Sequence, residues 1–221
     1  MRPGNMSSAL MQLHILPAGP IDTNAYLLTN SASRDAILID APEGIWEQVQ
    51  PILSGQNLAL RELWLTHGHW DHTQGGAEVV RKSGARVRAH PDDRDLIENP
   101  EVMRRFMGQS LRIEPIRVDD WLKHGETIQA LGVTAEVRHV PGHCPGNVLF
   151  YFADFKSAFV GDALFAGSVG RTDLPGGSST VLRNSIRTQI YTLPDDTQVH
   201  PGHGPTTTVG EEKVSNPFVR A

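Results

Sequence analysis

A chain of 221 residues, 39% hydrophobic and 20% charged, has the composition of an ordinary globular protein with room for one sizeable core. Its net charge of −5 comes without a Lys/Arg run, which argues against a nucleic-acid partner. The single cysteine, Cys144, excludes an intrachain disulfide. No apolar stretch approaches the roughly eighteen residues of a membrane span. The N-terminus has no continuous apolar region with a small-residue cleavage site, so a cytoplasmic protein is expected.

Three short apolar runs at 12–16, 25–29 and 36–40, bounded by Gly, Pro, Asn or Ser, predict strands. Residues 45–53 carry Ile45, Trp46, Val49, Ile52 and Leu53 at helical spacing. A strand at 60–65, a helix at 74–83 and a strand at 85–89 follow. Residues 91–124 are mixed and partly helical, with Val102, Phe106 and Met107 as apolar positions. Strands are expected at 133–140, 147–152 and 158–161, a helix at 181–191 and a last strand at 197–200. Strand clusters alternating with helices in both halves predict two sheets packed face to face with helices outside, in one domain over residues 1–221.

Ten histidines is a high count for this length. His67-Gly68-His69-Trp70-Asp71-His72 puts four ligand-type residues in six positions. In an extended segment His67 and His69 point the same way and can grip one ion. Asp71 and His72 fall where the chain turns toward a helix, so their directions differ, and two neighbouring ions accommodate all four better than one. Imidazole and carboxylate suit Zn, Fe or Mn, and the absence of thiolates argues against a Cys-rich structural zinc site. A lone histidine in a polar loop is more often a cap than a ligand, but two more such turns follow. Pro141-Gly142-His143-Cys144-Pro145-Gly146 and His200-Pro201-Gly202-His203-Gly204-Pro205 each hold a histidine in a Pro/Gly frame, and Gly161-Asp162 ends an apolar strand in a carboxylate. All three motifs fall just after predicted strands, where loops on a rigid scaffold carry chemistry.

The order His-x-His-x-Asp-His, Gly-His, Gly-Asp, Gly-His resembles the metallo-β-lactamase superfamily, and the likeness runs from Thr23-Asn24-Ala25-Tyr26 to the end. Gly170-Arg171-Thr172-Asp173-Leu174-Pro175 and residues 208–218 look like its glyoxalase II-like branch. The resemblance implies an α/β fold, a four-layer αββα sandwich with the site at one edge between the sheets. It assigns His67, His69 and His143 to one divalent ion and Asp71, His72 and His203 to a second, with Asp162 bridging them. Zn is the first expectation, with Fe or Mn as alternatives.

The activity implied is hydrolysis of a small-molecule thioester, of hydroxyacyl-glutathione type, by a hydroxide bridging the two ions and oriented by Asp71. A thiolate leaves without a strong general acid, and no G-x-S-x-G nucleophile elbow is present. Arg171 and Asp173 are the candidate substrate contacts, with a purely structural ion pair as the alternative. Asp40, at a strand end, is a candidate acceptor for a ligand imidazole. Cys144 reads as small, buried and not a ligand, and His90, His139 and His200 as hydrogen-bonding histidines. Full glyoxalase II carries a further helical region that binds glutathione, whereas eighteen residues follow His203 here. Persulfide dioxygenases also share a Gly-Arg-Thr-Asp segment. Their likeness implies the rival reading, a single iron held by His67, His143 and Asp162. A Cys, found in the best-known β-lactamases where this chain has Asp162, is missing, which counts against antibiotic hydrolysis.

Overall fold

The runs around 25–29 and 36–40 are apolar on both faces, as in strands covered on both sides. The computed structural model, which describes residues 10–108 and 110–221, shows both covers. The N-terminal stretch considered as a leader lies mostly outside the described residues. β1 (Met11–Ala18), β2 (Thr23–Asn30) and β3 (Asp35–Ile39) pair antiparallel. β4 (Ala59–Trp64), β5 (Arg86–Ala89) and β6 (Asp120–Trp121) continue this sheet in parallel. The parallel steps need crossovers, supplied by α1 (Ile45–Gln56), by α2 (Trp70–Thr73) with α3 (Gly76–Ser83), and by α4 (Arg94–Glu98) with α5 (Pro100–Met107).

The second sheet runs β14-β13-β10-β9-β8-β7. Its strands are β7 (Thr127–Ala130), β8 (Val133–His139), β9 (Val148–Phe152), β10 (Ser157–Gly161), β13 (Gln198–Pro201) and β14 (Thr207–Thr208). A small hairpin, β11 (Leu164–Phe165) with β12 (Ser168–Val169), sits between β10 and the crossover helix α6 (Ser179–Ser185). α7 (Val209–Ser215) closes the chain.

Side-chain alternation divides the core into three layers. Leu27, Leu38 and Leu63 pack with Ile45, Val49 and Leu53 of α1 and Val79 of α3. On the opposite face Tyr26, Ile37, Ile39 and Trp64 meet Val137, Phe150, Phe152 and Phe159 of the second sheet. Leu149, Val160 and Val199 turn outward onto Leu182 and Ile186. The result is the expected four-layer αββα sandwich. Burying a side chain of this size contributes about 1.5–3 kcal/mol. Among the described residues no helix is long and apolar enough to cross a membrane.

Three departures from the sequence expectation have local causes. The helix predicted at 74–83 is two helices, and the first starts at Trp70 inside the histidine motif. The break falls at Gly75, whose backbone presses so closely on the preceding loop that a Cβ would lie 2.2 Å from the Pro42 carbonyl oxygen. The helix at 181–191 starts earlier, at Ser179, where the Val181 amide donates to Ser178 Oγ, and ends in a π-helical turn, Ile186–Ile190. The strands β7, β11, β12 and β14 are too short to show a period, and the sequence marks α7 only through its family likeness.

Candidate metal centre

Beyond β4 the chain stays extended through His69, whose φ/ψ of −67°/149° precedes the first turn of α2. His67 and His69 therefore share a side, with ring centroids 4.8 Å apart. Asp71 and His72 stand on that first turn and face the other way round the same hollow. Gly142 lets the His143 turn pack on Leu182 of α6, and Gly202 brings the His203 turn against His72 and Asp162. Three trios each bring one ligand atom per residue within 4.8 Å of one another: His67/His69/His143, His67/His72/Asp162 and Asp71/His72/His203. Asp162 stands between the sets, with Oδ1 3.2 Å from His72 Nε2 and Oδ2 3.6 Å from both His143 Nε2 and His203 Nε2. All seven residues that the resemblance implied as ligands thus converge.

These residues fit divalent cations. The Nε2 atoms of His67, His72 and His143 and the Oδ1 of Asp162 are buried without a hydrogen-bond partner. Leaving such atoms unpaired costs about 1–3 kcal/mol each, which ion coordination removes. Burial, together with neighbouring histidines, holds His67 well below the usual imidazole range and His69 down at about 3, so both offer lone pairs. Burial works against a charged His72, but Asp71, Asp162 and Asp40 outweigh it and push its pKa well up. His203 is raised too, burial again being outweighed by its bond to Asp71 and by Asp162. Burial disfavours ionised Asp71 and Asp162, yet the neighbouring histidines, His72 foremost, hold both below the ordinary carboxylate range.

A network of hydrogen bonds fixes the ligand tautomers. Asp40 Oδ2 accepts from His72 Nδ1 at 2.8 Å and from Thr66 Oγ1 at 2.7 Å, while Oδ1 accepts from the Thr66 amide. Because the Thr66 hydroxyl proton is committed, His67 Nδ1 donates to Thr66 Oγ1 at 3.0 Å. His143 Nδ1 donates to the Arg171 carbonyl at 2.8 Å. In each case Nε2 is left for the ion. Thr23 Oγ1 donates to Asp71, and Asn24 and Tyr26 bind the carbonyls of Pro201 and Gly204, so the 23–26 segment holds the last histidine turn in place.

Arg171 lines the mouth of the hollow, and its guanidinium forms a two-bond pair with Asp173, both bonds 2.8 Å. Asp173 itself does not line the hollow. Cys144 is buried and donates to Asp93, with its thiol pushed well up by burial first and by Asp93 next. His139 binds the Pro145 carbonyl at 2.7 Å and His200 binds Ser157 Oγ at 3.2 Å. His90, His139 and Asp92 form a fourth ligand-type trio. Its rings are stacked at 4.0 Å, the Pro145 carbonyl takes up His139 Nε2, and the Asp92 amide takes up His90 Nδ1, so it serves as packing.

Sequence reasoning missed Asp93. Its buried carboxylate accepts from the amides of Gly68 (2.8 Å) and Gly146 (2.6 Å) and so ties two ligand turns together. An acidic residue just after β5 was its only signal.

The hollow above these residues has a volume of about 490 Å3. His69, Asp71, His143, Asp162 and His203 form its polar floor, and Ile21, Trp70, Met107, Phe165 and Leu174 its apolar walls.

The family model described as the metallo-beta-lactamase superfamily matches residues 18–203. A relative from Haemophilus influenzae named hydroxyacylglutathione hydrolase GloC is 36% identical over 214 residues, covering 96% of this chain and 99% of its own. The solved structure of BLEG-1 B3 metallo-beta-lactamase is 36% identical with a TM-score of 0.87, covering 95% of this chain and 100% of its own. That of TTHA1623 in a di-iron-bound form is 35% identical with a TM-score of 0.81, covering 93% and 100%. With the family model, the fold and the converging histidines and aspartates in agreement, the chain belongs to the metallo-β-lactamase superfamily.

Proposed function

We propose that this chain is a binuclear metallo-hydrolase that cleaves a thioester of the hydroxyacyl-glutathione type. The observation that carries the two-ion reading is the pair of complete ligand sets with Asp162 between them and with buried ring nitrogens otherwise unpartnered. The thioester reading draws on the name borne by the Haemophilus influenzae relative and on the Gly-Arg-Thr-Asp segment.

Two divalent ions held there would lower the pKa of a water toward neutrality and polarise a substrate carbonyl. The residues do the rest. Asp71, ionised and held by Thr23, accepts a hydrogen bond from the attacking water and so sets its lone pair toward the carbonyl carbon. His203 and His72 keep that carboxylate in place at 3.1 and 3.3 Å. The floor presents no proton donor for a leaving group other than its histidines, which suits a thiolate. Iron in a relative 35% identical keeps iron among the candidate metals beside zinc and manganese. The single-iron reading on His67, His143 and Asp162 leaves His69, Asp71, His72 and His203 without a ligand role. A second hydrolytic reading, β-lactam opening, is favoured by the likeness to the 36%-identical B3 metallo-beta-lactamase.

The test is metal analysis of the purified protein with assays on S-lactoylglutathione, a chromogenic cephalosporin and glutathione persulfide. Two ions per chain are expected. Chelation is expected to abolish thioester cleavage, with zinc, manganese or ferrous iron restoring it. His67→Ala and Asp71→Ala should each lower kcat by about 10^3 or more, given the weight of such groups in catalysis. Full turnover in either variant, or oxygen uptake with one iron per chain, overturns the proposal.

A further inference from the structure

We infer that the site selects its substrate by a short alkyl group on the acyl side of the thioester, received in an apolar annex beside His69. The inference rests on the thioester reading and names the substrate class within it. The annex is walled by Leu96 of α4, by Val102, Met103 and Phe106 of α5, and by Leu174 and Pro175. It joins the main hollow where His69, Met107 and Leu174 line both spaces, and among the described residues His69 is its one polar lining residue. Val102, Phe106 and Met107 stand out in the sequence as apolar positions in a mixed segment. Of these, Phe106 and Met107 are not core residues: they are 50% and 43% exposed, and Ile21 across the mouth is 49% exposed. Large apolar side chains gathered at the rim of a hollow mark a surface that a ligand covers.

Charge points the same way. Among the described residues Arg171 is the only Lys or Arg lining the main hollow, and Asp173 already holds its guanidinium. A substrate is therefore gripped there by shape and apolar contact more than by ion pairing.

The annex measures about 50 Å3, room for roughly three to five heavy atoms at the 10–15 Å3 a water-sized group requires. Such a small space next to His69 suits the group attached to the scissile carbonyl. The bulkier thiol carrier needs the open mouth, which also lets it depart after cleavage.

The experiment measures kcat/KM of the metal-loaded protein on thioesters of one thiol, with the acyl group lengthened from acetyl to octanoyl. A rise of about fourfold per methylene is expected up to pentanoyl or hexanoyl, and then a plateau or fall. Val102→Phe, which fills the annex, should cut the pentanoyl-to-acetyl ratio at least tenfold. Phe106→Ala, at a half-exposed position that does not endanger folding, should move the optimum to longer chains. Thioesters that are cleaved with a ratio near one, unaltered by either variant, overturn the annex and leave the thioester reading intact. A rise along an alkyl-thiol series at constant acyl group, lost in Val102→Phe, overturns the acyl-side assignment. If no thioester is cleaved, the thioester reading fails, and titration calorimetry with straight-chain carboxylates from acetate to hexanoate decides the annex alone. Affinity rising about fourfold per methylene and lost in Val102→Phe supports it; a flat series overturns it.

Discussion

Asp40 and Asp93 serve the site without lining the hollow. Asp40 sits at the end of β3 with a φ of 61°, a left-handed conformation that costs a non-glycine residue of order 1 kcal/mol. That backbone turn aims its carboxylate at Thr66 and His72 together. Asp40→Asn keeps the shape but places an amide donor where His72 Nδ1 already donates. We expect metal affinity to fall about 10–100-fold, measured by chelator competition, with the circular dichroism spectrum unchanged. An affinity equal to that of the parent protein would show that Asp40 does not orient His72. Asp93 acts differently, because its partners are backbone amides of two turns rather than ligand rings. Its pKa is raised by burial, against the pull of Cys144 and the two amides, and its strongest effect is to hold the turns of His67 to His69 and of His143 in register.

At the scale of elements, each ligand turn leaves the end of a strand: β4 for the first histidine run, β8 for His143, β10 for Asp162 and β13 for His203. The two sheets bring these ends to one edge of the sandwich. Close approach there depends on glycine. A Cβ at Gly202 would lie 2.1 Å from Asp162 Oδ1 and 2.6 Å from His72 Cε1, although Gly202 bears no ligand itself. Gly202→Ala must push those side chains aside, so it is expected to lower the metal content from the two ions per chain proposed above to one or none. Hydrolysis should drop by about two orders of magnitude, the cost of roughly 1 Å of misplacement. Melting temperature measured on metal-free protein should change by only a few degrees, because the displaced atoms are site side chains rather than core. Two retained ions with parental activity would count against the close packing seen here.

For the molecule as a whole, the inner layer between the sheets runs from Tyr26 and Trp64 to Phe150 and Phe159, and His200 is stacked on Phe159 at 4.7 Å. Burial lowers the His200 pKa from its ordinary value to about 4. Its folded-state pKa is thus below the unfolded value of about 6.5, so the unfolded chain binds the extra proton between those limits. The neutral ring stabilises the fold in full above about pH 6.5, and that stability is lost as pH falls toward 4. Between pH 7 and pH 5 it amounts to about 1–2 kcal/mol. Urea unfolding of metal-free protein should show this loss, and His200→Gln should reduce the slope by the His200 share, the remainder coming from His67, His69 and His90, which burial also lowers; an equal pH slope in both proteins would remove His200 as a contributor. The sandwich and the run from His67 to His72 were legible in the chain because both rest on short-range pattern, whereas His143, Asp162 and His203 showed as Pro/Gly turns and a strand-end carboxylate and joined the set through the family resemblance. Strand runs show as apolar segments, and ligand pairs two to five residues apart show as motifs. Asp93 carried no such mark, since its amide partner Gly146 is 53 residues away, and Asp40 showed only as one option, with His72 32 residues distant. The annex is likewise a tertiary product: α4, α5 and the Leu174 loop are separate in sequence and meet only when the crossover folds over the sheet edge. The sequence by itself therefore determined which residues are candidates to hold metal. The tertiary structure decided how those residues are aimed and what shape of substrate reaches them, because both depend on contacts between distant segments that leave no periodic or local trace.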